Sequence, residues 1–128
     1  MLNFSKNAVF NLKKIDNSEA NQSALALLID GEELVGVYKT VRDQVIFTNK
    51  RIMNVDVQGI TGKKQEIVSM PFSNVQYYSI QTPGFAEINA DSEMSLFFNN
   101  GEKVEYEFKG KSDILAIGRM IGAYVLAK

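Results

Sequence analysis

The 128-residue chain has no cysteine, no histidine and no tryptophan, and only two prolines. Without a thiol or an imidazole it cannot build a Ser-His-Asp or Cys-His nucleophile, a thiolate zinc site, a disulfide or a haem attachment. An excess of either charge is missing as well. Fourteen Lys and Arg stand against fifteen Asp and Glu, so the basic surplus of a general nucleic-acid binder is absent. Long apolar runs are also lacking. The two longest stretches, Ala24 to Ile29 and Ile114 to Ala127, the latter interrupted by Arg119, fall short of the ~20 residues that cross a bilayer. Lys6, Lys13 and Lys14 are scattered through Met1 to Ile15 rather than placed ahead of an apolar stretch, so no signal peptide is expected and the cytoplasm is the expected location. What is present is a hydrophobic fraction of 45%, ordinary for one compact domain with its own core.

The N-terminal part reads as helical. Asp16 and Glu19 have the spacing of a capping pair ahead of Ala20, Ala24, Leu27 and Leu28, with Gly31 as a stop, which predicts a helix from about Asn17 to Ile29. Phe4, Ala8, Leu12 and Ile15 recur at spacings of four, four and three and suggest an earlier amphipathic turn or two, either resting on a membrane surface or capping an open end of the core. Residues 1–31 are thus expected to be a helical extension and residues 32–128 the domain proper.

From Glu33 onward the hydrophobic period changes to two and turn signals come at short intervals, as in an antiparallel sheet. Seven strands are predicted: Leu34 to Lys39, Gln44 to Thr48, Arg51 to Val57, Lys64 to Met70, Val75 to Thr82, Glu93 to Phe98 and Lys103 to Phe108. The last two flank Asn99-Asn100-Gly101 and form the clearest hairpin. Met94, Leu96 and Phe98, with Val104, Tyr106 and Phe108, make its dry face. In the third strand the alternation turns Met53, Val55 and Val57 inward. Beyond Gly110, Ser112 can cap a C-terminal helix whose Ile114, Ile117, Ile121 and Val125 form one stripe for covering the sheet, while Gly118 and Gly122 allow close helix-on-sheet packing. Seven strands and one helix fit a strongly bent sheet or partly open barrel plugged by that helix.

Particular residues narrow this further. Glu33, Arg42-Asp43, Phe47-Thr48-Asn49-Lys50-Arg51, Asp56, Gln58 to Lys64 and Pro71-Phe72 occur in an order that resembles the bacterial pleckstrin-homology (PH) domain family. Pro83-Gly84-Phe85-Ala86 departs from the family pattern, and the first fifteen residues have no clear equivalent in it. The resemblance implies a PH-like barrel, assembly into a cyclic homo-oligomer with a pentamer favoured, no enzymatic activity and no cofactor. It also implies a hydrophilic surface suited to another protein, for which Arg42, Asp43, Arg51 and Asp56 are the first candidates.

Other motifs have plainer readings. Gly59-Ile60-Thr61-Gly62-Lys63-Lys64 has the wrong glycine spacing for a phosphate loop and joins strand to strand, so it is read as a hairpin turn. An inositol-phosphate site needs several converging cations; Lys39, Arg42, Arg51, Lys63 and Lys64 are the candidates for the alternative reading, a peripheral module on anionic phospholipid at the inner membrane surface. Glu105 and Glu107 lie at strand spacing on a wet face, with nothing in the pattern to raise a carboxyl pKa. Charge is unevenly spread: Lys39 to Lys64 carries six basic residues against two acidic, and Gly84 to Phe108 six acidic against one basic. Such polarity suits head-to-tail self-association. The leading expectation is a non-enzymatic ring scaffold for a protein partner.

Overall fold

The computed structural model describes residues 8–83, 91–110 and 114–127. Among them eight strands make one open sheet: β1 (Ala8–Ile15), β2 (Leu34–Lys39), β3 (Gln44–Thr48), β4 (Arg51–Gln58), β5 (Lys64–Pro71), β6 (Val75–Gln81), β7 (Ser92–Phe98) and β8 (Lys103–Phe108). Their spatial order is β5-β4-β3-β2-β1-β8-β7-β6. Two helices accompany them, a four-residue α1 (Gln22–Leu25) and α2 (Ile114–Val125). The seven expected strands are all present within a residue or two of their expected bounds. Phe4, the Gly84-Phe85-Ala86 step and Ser112 lie outside the described residues.

The eighth strand corrects the sequence reading. Residues 8–15 are not helical: β1 runs antiparallel to β2, with Lys13 opposite Lys39, and parallel to β8, with Val9 opposite Tyr106 and Leu12 opposite Phe108. The segment expected to lie outside the barrel therefore joins its two halves. Its helix-like spacing has a simple origin. Between Val9 and Leu12 the register shifts by a bulge, and Asn11 adopts a left-handed φ of 62°. The extra residue puts Val9 and Leu12, three apart, on the same buried face, which imitates a helical interval.

The helix expected over Asn17 to Ile29 is also reduced, to one 3-10 turn at Asn17–Glu19 and the short α1. The capping pair itself is present: Asp16 accepts from the Ser18 N–H at 2.9 Å and Glu19 from the Asp16 N–H at 3.3 Å. Ala20 ends the first turn, and Asn21 caps the second by accepting from the Ala24 N–H. The remaining groups of Asn21 bind the sheet, its N–H to Gln44 Oε1 at 2.8 Å and its amide to Gln65 Oε1 at 2.9 Å. These bonds hold residues 16–33 as a strap across the sheet rather than as a continuous helix.

Both faces of the β2–β4 region are consequently buried. On one side Tyr38, Val45, Phe47 and Ile52 join Leu12, Leu96, Tyr106 and Phe108 in the barrel core. On the other, Val37, Ile46, Met53 and Val55 pack beneath Ala20 and Ala24 of the strap. Met53 and Val55 are thus buried as expected, but under the strap instead of inside the barrel. Small alanines let the strap backbone come close to the sheet.

The α2 stripe behaves as predicted, with Ile114, Ile117, Ile121 and Val125 all buried against the barrel core. Gly118 and Gly122 lie against β6: a Cβ on Gly118 would fall on Ile80 Cδ1, and one on Gly122 would stand 2.6 Å from Tyr78 Oη. The two glycines serve helix-on-sheet packing.

Candidate binding surfaces

Arg42, Asp43, Arg51 and Asp56 do not form one cluster. Arg51 opens β4 beside the β3–β4 turn, while Asp56 lies five residues along at the end where the β2–β3 turn holds Arg42 and Asp43. At ~3.3 Å per residue these ends are about 17 Å apart. Sequence proximity to the same turns suggested a cluster; strand length separates it.

Arg51 belongs to the strap. Its Nε and Nη2 donate to the two oxygens of Glu32 at 2.9 Å each, while Nη2 also reaches the Leu27 carbonyl at 2.6 Å and Nη1 the Ser69 hydroxyl at 3.1 Å. Thr48 Oγ1 donates to Glu32 Oε2 at 2.7 Å, and the Ile29 N–H to Oε1 at 3.1 Å. Burial pushes the Glu32 carboxyl up, but the hydrogen bonds from Arg51, Thr48 and Ile29 outweigh it and hold the pKa below the usual glutamate value. The sequence reading chose Glu33, which is exposed, and passed over its neighbour; adjacency to an exposed glutamate gave no signal for which of the two points inward.

Asp43 and Asp56 are nearly inaccessible. Asp43 Oδ1 accepts from the Val57 N–H at 2.9 Å, and Asp56 Oδ2 accepts from Gln58 Nε2 at 3.1 Å. They shape the turns from within and present no carboxylate to a partner. Arg42 remains exposed, and its Nη2 donates to the Gly59 carbonyl, tying the β2–β3 turn to the β4–β5 turn. Gly59 and Gly62 both have positive φ, as a tight strand-to-strand turn requires, so this segment is a hairpin and not a phosphate loop.

Of the five cations of the lipid alternative, Lys39, Arg42, Lys63 and Lys64 share this end of the sheet, because the β2–β3 and β4–β5 turns emerge on the same side. Arg51 is at the other end. Two lysines not chosen from the sequence do join: an open notch of about 560 Å³ is lined by Lys13, Lys39 and Lys109, with Phe10 and Val41. Lys13 could not be placed while residues 8–15 were read as helical, and only the β1–β8 pairing brings Lys109 alongside.

On the far half of the sheet the carboxylates are ordinary surface groups. Glu105 pairs with Lys103 at 2.6 Å, and Glu107 Oε1 accepts from the Asn11 N–H at 3.4 Å. The same outer face carries a stacked Tyr77–Phe97 pair, centroids 4.2 Å apart, with Lys103 Nζ over the Phe97 ring. Among the described residues no group of three or more acidic side chains could hold a metal ion.

Bent sheet, strap and C-terminal helix define a PH-like domain, and the comparisons agree. The family model described as the bacterial PH domain matches residues 3–125. The Bacillus subtilis uncharacterized protein YjqA is 32% identical over 115 residues, covering 88% of this chain and 90% of that protein. A second protein from the same organism, YozO, is 33% identical over 70% of this chain and 75% of its own length. Among solved structures, a DUF1696-family protein with a pleckstrin-homology domain from Shewanella loihica superposes with a TM-score of 0.71 at 28% identity, covering 91% of this chain and 99% of that one. A pleckstrin-homology domain from Shewanella amazonensis gives a TM-score of 0.58 at 33% identity, over 84% and 90% of the two chains. The chain belongs to the bacterial PH-domain family.

Proposed function

We propose that the protein is a non-enzymatic scaffold whose subunits join edge to edge into a ring, pentameric by the family resemblance, and that the ring presents its surface to a protein partner. The observation that carries this reading is the openness of the sheet, whose order ends in β5 on one side and β6 on the other. Both are long strands, eight and seven residues, and mostly exposed or half-buried. Exposed edges invite pairing unless a partner or a blocking charge covers them.

Because the two edges differ, joining them is heterologous, and such a contact makes a ring when its repeated rotation closes on itself. Charge supports the same join. In an antiparallel union the Lys63-Lys64 end of β5 meets the Gln81 end of the neighbouring β6, where Glu93 is the next residue across the sheet. The Tyr77–Phe97 stack beside that edge adds aromatic area of the kind enriched at interfaces. Repeated weak sites at fixed spacing would then give avidity for a multimeric target.

Light scattering at low and high salt tests the assembly. A discrete multimer is expected, reduced to monomer by Ser79→Lys with Gln81→Lys, which put charge on the β6 edge without touching the core. A strict monomer at every concentration overturns the reading.

A further inference from the structure

Gly36 occupies a buried position inside β2, where a glycine weakens a strand. Its backbone is not left-handed, so conformation does not call for glycine there. The β2–β3 register does shift between Leu34 and Gly36, but a bulge requires glycine only where its first residue is left-handed. What the missing side chain does is leave room. An added Cβ would stand 3.3 Å from Tyr38 Cε1 and 3.7 Å from both Lys14 Nζ and Tyr38 Oη. An ammonium and a hydroxyl thus converge on the space beside Gly36. A glycine inside a strand commonly marks such a place, where a ligand or a second backbone comes close.

The space belongs to a cavity of about 200 Å³ between β1, β2, β3 and α2, whose walls include Val35, Phe47, Ile117 and Met120. Lys14 lies directly opposite Tyr38 in the β1–β2 register, and its Nζ stands 5.3 Å from the centre of the Tyr38 ring. That contact between cation and ring places the ammonium at the cavity. Lys14 is exposed and makes no ion pair among the described residues. Its charge is only the least of the influences on the Asp16 carboxyl two residues away. Apolar walls with a few placed polar groups are the usual make-up of a small-molecule site.

We infer that this cavity binds a small amphipathic monocarboxylate, with the carboxylate on Lys14 and Tyr38 and the apolar body against Phe47, Ile117 and Met120. The charge count selects the head: a phosphate group needs several converging cations, and here there is one. The walls select the body, since a bare anion would leave Phe47 and Ile117 facing an unfilled apolar space. Size limits it further, because a cavity of about 150 Å³ takes benzene, so this one holds a ring or a short aliphatic chain together with its carboxylate. Met120, half-buried and unbranched, can adjust to either. Neither edge strand contributes to the cavity, so the site does not depend on ring assembly.

Amide chemical shifts test it, with millimolar benzoate and hexanoate as probes and acetate and inorganic phosphate as controls. Benzoate or hexanoate should move the signals of Lys14, Gly36 and Met120, and whichever binds more tightly tells whether the natural acid carries a ring or a chain. The bound acid joins α2 to the sheet and should raise the melting temperature. Lys14→Met keeps the apolar stem without the charge and should weaken binding about tenfold, the worth of one charge-assisted hydrogen bond. Gly36→Ala puts a methyl group into the space between Lys14 Nζ and Tyr38 Oη and should abolish binding. Circular dichroism checks that both variants fold, and should Gly36→Ala fail, Lys14→Met carries the test, its side chain being exposed. Signals unmoved by both benzoate and hexanoate overturn the inference, as does wild-type affinity in Lys14→Met. Equal shifts with acetate or phosphate would mean that the apolar walls select nothing and overturn it as well.

Discussion

Arg51 lays its guanidinium across both oxygens of Glu32, two hydrogen bonds of 2.9 Å each, and so ties the strap to the first residue of β4. The Glu32 side chain is fully inaccessible, while that of Arg51 keeps 19% of its surface. Arg51→Ala would leave a buried carboxylate without its cation, a change that costs about 3 kcal/mol for pairs of this kind. Arg51→Lys cannot reproduce the two-pronged geometry and should recover only part of the loss. Urea denaturation of the three proteins checks the order, and an Arg51→Ala variant as stable as wild type would show that the strap holds without the pair.

The depressed pKa of Glu32 has a direction in pH. A carboxyl with a folded-state pKa below its unfolded value of about 4.3 contributes stability above that value and loses it as pH falls through the folded pKa. Glu32→Gln should therefore be less stable than wild type at neutral pH, with the gap closing below about pH 4. Asp16 and Asp91 also have lowered pKa values, held down by the N–H groups of Ser18 and Gly110, but they titrate in both proteins. The difference between the two denaturation series, taken from pH 7 to 3, isolates Glu32. A constant gap across that range would overturn the assignment.

The strands were legible because their burial alternates with period two between recognisable turns, as in Met94, Leu96 and Phe98 on β7. The N-terminal strand was not, since the bulge at Asn11 displaces Leu12 by one position and erases the alternation. The strap was misread for another reason. Ala20 and Ala24 do recur at a helical interval, but what fixes them is the side-chain bonding of Asn21 and Gln44, which depends on a sheet assembled later in the chain. The candidate site suffered most. Residue types near turns were identified, but which end of the sheet each occupies, and whether a carboxylate points in or out, follows from pairing register and not from local pattern. Lys13 beside Lys39 is a consequence of topology alone.

Gly122 gives a test of the helix-on-sheet contact. In an exposed helix Gly→Ala stabilises by about 1 kcal/mol, but here the added Cβ would meet Tyr78 Oη at 2.6 Å while Tyr78 Cζ stays at 3.8 Å. The clash lies with the hydroxyl, not with the ring. Gly122→Ala should lower stability by about 1–2 kcal/mol, within the usual cost of overpacking. Combined with Tyr78→Phe it should regain wild-type stability or exceed it. Thermal melts of the single and double variants decide, and a double variant no better than Gly122→Ala would place the strain elsewhere.

Across the barrel, the Tyr106 hydroxyl donates to Asn54 Oδ1 at 2.9 Å with both residues buried. Burial drives the phenol pKa well up, the Asn54 bond pulling slightly the other way, so Tyr106 stays neutral across the working pH range. Tyr106→Phe would remove the donor and leave a buried carbonyl oxygen unsatisfied, at a cost of about 1–3 kcal/mol. Adding Asn54→Leu removes the orphaned acceptor, and the double variant should lose less than the sum of the two single changes. A double-mutant cycle in guanidinium chloride measures this coupling, and strict additivity would mean that the bond joining β4 to β8 contributes no stability of its own.

Asn11 is the residue on which the whole placement of β1 turns. Its φ of 62° lies in the left-handed region, which asparagine tolerates and β-branched residues resist. Asn11→Gly should be neutral or nearly so, whereas Asn11→Val should cost about 1–3 kcal/mol. The site of the damage matters more than its size. Losing the bulge would shift one half of β1 by a residue and turn either Val9 or Leu12 out of the core, so amide hydrogen exchange should accelerate along β1 and its partner β8 before β4 or β5 is affected. Uniform acceleration over the whole sheet would instead mean that the two halves have no independent stability and that β1 is inseparable from the barrel it closes.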